Sequence, residues 1–326
     1  MQETQKKANP IKRFFALDAS AVIVAMIVLI ALVSILAPIL TGGQFLTMDN
    51  IMNIFRKQTY IGIIACGMTL VMITGNIDLS VGNMMSLLIV VCALLSKSVG
   101  PIPSIFLTLL IGAGCGLVNG FLVGPLRLNA FISTLGTSSI FYALTLIISS
   151  GFTQRADSAL FDMIGSGSLG FLPMPVIIMA AVVVIFWFLL KRTVYGQRLY
   201  AIGANFTAAR FSGIKNRKTV LITYVLLGLC CALAAILTIA RSVSANPQAA
   251  GGKEMDVILA VVVGGTSIAG GKGTMFGTLL GFLFIGFMTT GFTFLGMNEY
   301  VQSIVTGVIL VAALSFDVIK ARRSRL

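Results

Sequence analysis

Gly75-Asn76-Ile77-Asp78-Leu79-Ser80-Val81-Gly82 is the stretch on which the reading of this chain turns. Asp78 is the one charged residue between Lys57 and Lys97. A carboxylate at bilayer depth costs roughly 2.5–3.5 kcal/mol on insertion scales, so it persists there only when it faces a cavity, a partner or the membrane surface. The flanking glycines and the polar Asn76 and Ser80 also interrupt the helical pattern, because glycine weakens helix interiors. The segment therefore either joins two membrane spans tightly or breaks one span at a functional depth.

The surrounding composition sets the class. Of the 326 residues, 57% are hydrophobic and 10% charged, and the mean hydropathy is +1.02. A soluble chain would carry about 25% charged residues. The expected fold is an all-α polytopic membrane protein. The net charge of +13 would suit nucleic acid, but the charges fall in short segments between apolar runs, as the positive-inside rule predicts. The partner this implies is the lipid bilayer and not nucleic acid. There is no histidine, which removes histidine acid–base chemistry, histidine metal ligands and Ser-His or Cys-His pairs. Cys66, Cys92, Cys115, Cys230 and Cys231 lie in apolar stretches without zinc-ligand spacing and read as small packing residues. No catalytic residue, metal site or cofactor site is expected.

A span needs about 20 apolar residues. Ten stretches meet this: 20–40, 52–75, 80–97, 103–124, 128–150, 172–192, 219–241, 255–271, 274–295 and 299–319. The first follows Lys6, Lys7, Lys12 and Arg13 and resembles a signal peptide, but its apolar run exceeds an h-region of about 7–15 residues. It reads as an uncleaved helix. With both termini cytoplasmic, 17 of the 23 Lys and Arg fall on the inner side and 6 on the outer, with Arg56 and Lys57 on the disfavoured side. The expected organisation is an N-terminal segment 1–19, one transmembrane domain 20–319 with a basic cytoplasmic loop 193–218, and a basic tail 320–326. Polar segments 151–171 and 242–254 would lie on the outer face.

Several motifs admit two readings. In the basic loop, Asn205 can cap a short helix that Gly213 stops. Such a helix is a rigid knob for a partner; the alternative is a solvated loop that only sets topology. Gly264-Gly265-Thr266-Ser267-Ile268-Ala269-Gly270-Gly271-Lys272-Gly273-Thr274 fails as a phosphate loop, because Thr266 and Gly273 occupy positions that need glycine and Ser or Thr. It reads as close helix packing through small residues, or as a glycine-hinged gate. Ile77, Gly82 and Met84 echo Ile268, Gly273 and Met275 at a constant offset, a candidate internal repeat of the kind transporters use to frame a substrate path. Asn119 is the costlier of the polar groups on the fourth and fifth spans, whereas Ser133 and Thr134 usually bond back to their own helix. Glu254 and Asp256 are surface charges or contacts for an external partner. Pro38, Pro125, Pro173 and Pro175 mark span ends.

Four stretches together resemble the ribose-type permeases of bacterial ATP-binding-cassette importers: Gly67 to Gly82, Ala130 to Thr137, Ala208-Ala209-Arg210-Phe211-Ser212-Gly213-Ile214, and Asp256 to Thr274. The resemblance runs in order from about 50 to 318. It implies a permease subunit in the inner membrane, importing a monosaccharide or similar small polar solute and paired with a second permease copy or paralogue. Its other partners would be a cytoplasmic ATPase, which uses ATP and Mg, and a periplasmic or lipid-anchored sugar-binding protein. The chain itself would bind no cofactor. Gly203, Asn205, Ala208, Ala209, Arg210, Ser212 and Gly213 would form the coupling element on the ATPase. Where the family often has an acidic residue before Ala-Ala-Arg, this chain has Phe206-Thr207. Asn76, Asp78, Ser80, Asn83, Asn119, Thr134, Gly265 and Thr266 are the expected path or gate, and Glu254 and Asp256 the expected binding-protein contact. The rival reading is an ion-coupled secondary transporter using Asp78. An intramembrane enzyme would need a Ser-His, paired-Asp or Asp-rich motif, and none occurs.

Overall fold

A computed structural model describes residues 20–156 and 158–323. The N-terminal segment 1–19 and the end of the basic tail, 324–326, lie outside the described residues. Helices dominate: α1 (Ser20–Thr41), α2 (Met48–Ile73), α3 (Val81–Val99), α4 (Pro101–Val123) and α5 (Ala130–Ser149) come first. A short α6 (Ala159–Ser166) leads to α7 (Met174–Arg192), α8 (Val194–Ala204) and α9 (Phe206–Phe211). The chain ends with α10 (Asn216–Ser242), α11 (Lys253–Val263), α12 (Met275–Phe294) and α13 (Glu299–Arg323). Among the described residues, seven helices are long and apolar enough to cross a membrane: α1, α3, α4, α5, α7, α10 and α12.

The core is built on α2 and α10. Every residue of α2 from Ile61 to Ile73 is buried. A helix apolar on all sides belongs inside a bundle, and this explains why α2 keeps Arg56 and Lys57 at its other end. Along α4, Gly112, Gly116, Gly120 and Gly124 recur every fourth residue, which places them on one face. That face lies on the backbone of α10: a Cβ at Gly116 would strike the Tyr224 carbonyl, and one at Gly120 the Leu221 carbonyl. Lipid offers no hydrophobic drive to bring helices together, so such close approach through small residues is what packs them. Two side-chain hydrogen bonds then tie α2 to α12, with Thr69 and Thr278 hydroxyls 2.6 Å apart and Gln58 Nε2 donating to Thr289 Oγ1 at 2.7 Å.

Each of the ten predicted apolar stretches contains a helix, but three boundaries differ. The stretch 255–271 is helical only over Lys253–Val263, a length of about 16 Å that falls short of a bilayer core. Its remainder is the glycine-rich loop. Pro38 lies inside α1, and the helix runs on past it to Thr41. At the other end α13 continues to Arg323, so part of the predicted tail is helical. The two polar segments 151–171 and 242–254 meet through an antiparallel pair, β1 (Gln154–Arg155) with β4 (Ser244–Ala245). A second pair, β2 (Ser168–Leu169) with β3 (Leu172–Pro173), leads into α7.

Gly116→Leu is expected to destabilise the protein in detergent by about 1–3 kcal/mol through overpacking against α10. Thermal unfolding followed on Trp187 fluorescence reads this directly; an unchanged transition would show that the glycine face of α4 does not need to be bare.

Candidate functional site

Two helix breaks meet at the centre of the site. The first lies between α2 and α3, the second between α11 and α12. Both begin with the same glycine cap. After α2, Gly75 (φ 78°) donates to the Met72 carbonyl and Asn76 N–H to Val71. After α11, Gly265 (φ 87°) donates to the Val262 carbonyl and Thr266 N–H to Val261. The left-handed conformation at Gly75 and Gly265 costs a residue without Cβ little, and the long-range bond satisfies carbonyls a helix end leaves open. The same cap also follows α9 at Gly213 and α12 at Gly296. In the sequence echo, at an offset of 191, Gly82 is the second residue of α3, whereas Gly273 precedes the cap of α12.

The first break is held by side chains. Asp78 is fully buried. Its Oδ1 accepts from Ser80 N–H at 2.7 Å and Ser80 Oγ at 2.6 Å, and its Oδ2 accepts from Asn119 Nδ2 at 3.0 Å. Asn119 Nδ2 also reaches Ser80 Oγ at 2.7 Å. The Leu79 N–H donates to Thr134 Oγ1 at 3.0 Å, and Tyr224 OH donates to the Ile77 carbonyl at 3.0 Å. Thr134 thus bonds back to Ala130 and also receives a donor from the break. The carboxylate is fully engaged by these donors. It lies inside the protein, two residues before Ser80, the cap residue of α3.

The structure brings together four of the predicted path residues: Asp78, Ser80, Asn119 and Thr134. Asn83 stands one turn further along α3 and donates to Ser138 Oγ at 2.9 Å. Asn76 bonds locally to Thr74. Gly265 and Thr266 belong to the second break, where Thr266 is buried and its hydroxyl has no hydrogen-bond partner among the described residues. Tyr224 and Ser138 were not anticipated; only the cost of a buried hydroxyl in an apolar helix could have flagged them. Glu254 turns its Oε2 inward, where a Cβ on Gly82 would meet it, and Asp256 pairs with Lys253 at 3.3 Å. No group of three or more His, Cys, Asp or Glu suited to a metal occurs among the described residues.

Beyond the breaks, α8 and α9 form a compact pair. Leu199 and Ile202 bury α8 against the bundle. Asn205 caps α9 by accepting from Ala208 N–H at 2.9 Å, and Gly213 (φ 81°) follows its end. The expected short helix is therefore present, with Gly203 at the end of α8, Ala209 its buried residue, and Arg210, Ser212 and Gly213 exposed. Phe206 is fixed by the Arg127 guanidinium 5.5 Å above its ring and by Asn216 Nδ2 donating to its carbonyl at 2.7 Å. Phe211 is 87% exposed. In α8, Tyr200 OH donates to the Gly273 carbonyl at 2.7 Å, and burial raises its phenol above the ordinary value, so it stays a donor.

Such an architecture, with apolar helices, interrupted spans and a rigid helical knob on one side, defines a multi-pass membrane transport component. The family model described as "Branched-chain amino acid transport system / permease component" matches residues 50–314, and the chain belongs to that permease family. The ribose import permease protein RbsC of Escherichia coli (strain K12) is 40% identical over 302 residues, covering 90% of this chain and 92% of that protein. RbsC of Bacillus subtilis (strain 168) is 40% identical over 295 residues, covering 90% of each. The D-allose transport system permease protein AlsC of Escherichia coli (strain K12) is 35% identical over 280 residues, covering 85% of this chain and 86% of that protein. No solved structure matches. The chain is a multi-pass permease of the inner membrane.

Asn119→Ala removes a donor from the buried Asp78 carboxylate and is expected to cost about 1–3 kcal/mol of stability. A melting temperature equal to that of the wild type in the same detergent would refute the idea that this network holds the first break.

Proposed function

We propose that this chain is the membrane-spanning subunit of an ATP-binding-cassette importer for a monosaccharide. The observation that carries this is the 40% identity to ribose import permeases along nine-tenths of both chains. Relatives with nearly full coverage are named for ribose, allose and galactofuranose, which favours a sugar over the amino acids in the family description. The cytoplasmic partner is an ATPase that binds ATP and Mg; α9 docks on it through Arg210 and the exposed Phe211. A binding protein delivers the solute from outside, and a second permease copy or paralogue completes the path. Ten spans with both termini cytoplasmic fit the charge bias, the eighth crossing being made by α11 together with the glycine-rich loop that follows it.

Transport by alternating access asks the chain for a neutral polar lining and for a mechanical input, and it needs no chemistry from the permease. A hydroxyl-rich solute suits Asn and Thr groups such as Asn83 and Thr266, which accept and donate without the desolvation cost of a charge. The Phe206-Thr207 pair in place of an acidic residue makes the docking on this side more apolar than ionic. Exposed charge pairs contribute little, so the loss is small.

Affinity purification of the tagged chain from its own host is expected to recover an ATPase with two nucleotide-binding modules. Arg210→Glu together with Phe211→Asp is expected to lower that recovery at least tenfold while the permease stays folded. Full recovery with both changes would place the docking elsewhere.

Asp78→Asn separates the importer from the ion-coupled reading. Asparagine keeps the volume and the acceptor toward Ser80, and a flipped Asn119 amide can accept from it. Uptake of D-ribose is expected to stay within about threefold of wild type. Abolished uptake, together with sensitivity to a protonophore and none to vanadate, would favour Asp78 as an ion site.

A further inference from the structure

The ends of α2, α8 and the second break touch through bare backbone. The Ile73 carbonyl, left open at the end of α2, accepts from Gly271 N–H at 2.9 Å. Gly203, in the last turn of α8, lies against both groups: a Cβ there would collide with the Ile73 oxygen and the Gly271 nitrogen. Gly270 also lies close to Gly75, where an added Cβ would come within 2.8 Å of its nitrogen, and Gly271 meets the Ala204 backbone. Two residues after Gly203, Asn205 caps α9. No side chain can bend between these parts to absorb a displacement. Packed backbones of this kind shift as discrete units and do not stretch.

We propose that the Ile73–Gly203–Gly271 contact, braced by the Tyr200 hydroxyl on the Gly273 carbonyl, is a relay that carries movement of α9 to both helix breaks at once. Tyr200 is a positioning residue in this relay: it holds the second break to α8 at a point two residues beyond the backbone contact. The buried Thr266 hydroxyl faces Gly273 without a hydrogen-bond partner among the described residues, a group left for a second arrangement of the loop to satisfy. The inference rests on the reading that α9 docks on an ATPase.

Hydrogen exchange on the assembled permease–ATPase complex tests it, comparing the nucleotide-free and vanadate-trapped states. In the wild type, trapping is expected to change exchange in both 74–80 and 264–274. Tyr200→Phe keeps the ring and removes one hydrogen bond; it should reduce the change in 264–274 roughly 2- to 10-fold with ATPase recovery unaltered. Gly203→Ala should suppress the response in both breaks. Tyr195→Phe is the control, since its hydroxyl holds α8 to Thr223 and not to a break, and it should leave the response intact. An unchanged response in Tyr200→Phe and Gly203→Ala overturns the relay, as does an equal loss in Tyr195→Phe. If no ATPase accompanies the wild-type chain, the importer reading falls first and takes the relay with it.

Discussion

Helix α2 stops at Ile73 deep inside the protein, and its last carbonyls have no following turn to receive. In a membrane an open buried carbonyl costs several kcal/mol, so non-helical backbone survives there only when protein supplies the missing donors. Gly271 supplies one, at 2.9 Å from the Ile73 oxygen. Much else depends on this bond. For the N–H to arrive, the second break must fold back onto the first, which needs glycine at 270 and 271 because their φ angles are 87° and 74°. For α8 to end at the same point, residue 203 must lack a Cβ. The site is an accounting problem in backbone hydrogen bonds, solved by small residues from three distant parts of the chain.

The first break is secured differently. Asp78, Ser80, Asn119 and Thr134 join it to α4 and α5, and Tyr224 joins it to α10. A carboxylate buried without a counter-ion is expensive, and here it is covered by three donors of the protein's own. The membrane supplies none of its solvation. That is consistent with a clamp, because a group that must bind and release an ion would have to exchange those donors each time. The glycine face of α4 makes the clamp reachable: with bare backbone against α10, Asn119 stands close enough to α2 and α3 for direct bonds.

Much of this was legible in the residues. Apolar length located a helix in each predicted stretch, and Asn205 with Gly213 marked the short α9, because capping is a local matter of one side chain and one backbone angle. The grouping of Asp78 with Asn119 was partly foreseen, since burying either polar group alone is costly. The depth of Asp78 was not, as a charge count places a loop on one side of the membrane without saying how far it dips. The end of α11 was missed for a related reason. Val261, Val262 and Val263 continue the apolar run into Gly264 without a polar signal, and only the turn geometry at Gly265 ends it. The pairing of Tyr200 with Gly273 spans 73 residues, and no local pattern encodes it.

Taken together, the contacts form an order of dependence. Side chains of α4, α5 and α10 fix the first break to the bundle core. The second break is fixed to the first through Gly271 and to α8 through Gly273, with Tyr200 as the donor. The pair α8–α9 is in turn tied to α10 through Tyr195 and Thr223 at 2.9 Å and to the α4–α5 connection through Arg127 and Phe206. A force applied at α9 therefore reaches the second break by one backbone contact and one hydrogen bond and the first through Gly203 on Ile73, while four hydrogen bonds from Asn119, Thr134 and Tyr224 restrain the first. The two breaks share a glycine cap but not their supports. That asymmetry lets one movement of α8 reach both breaks, with the first the more tightly restrained of the two.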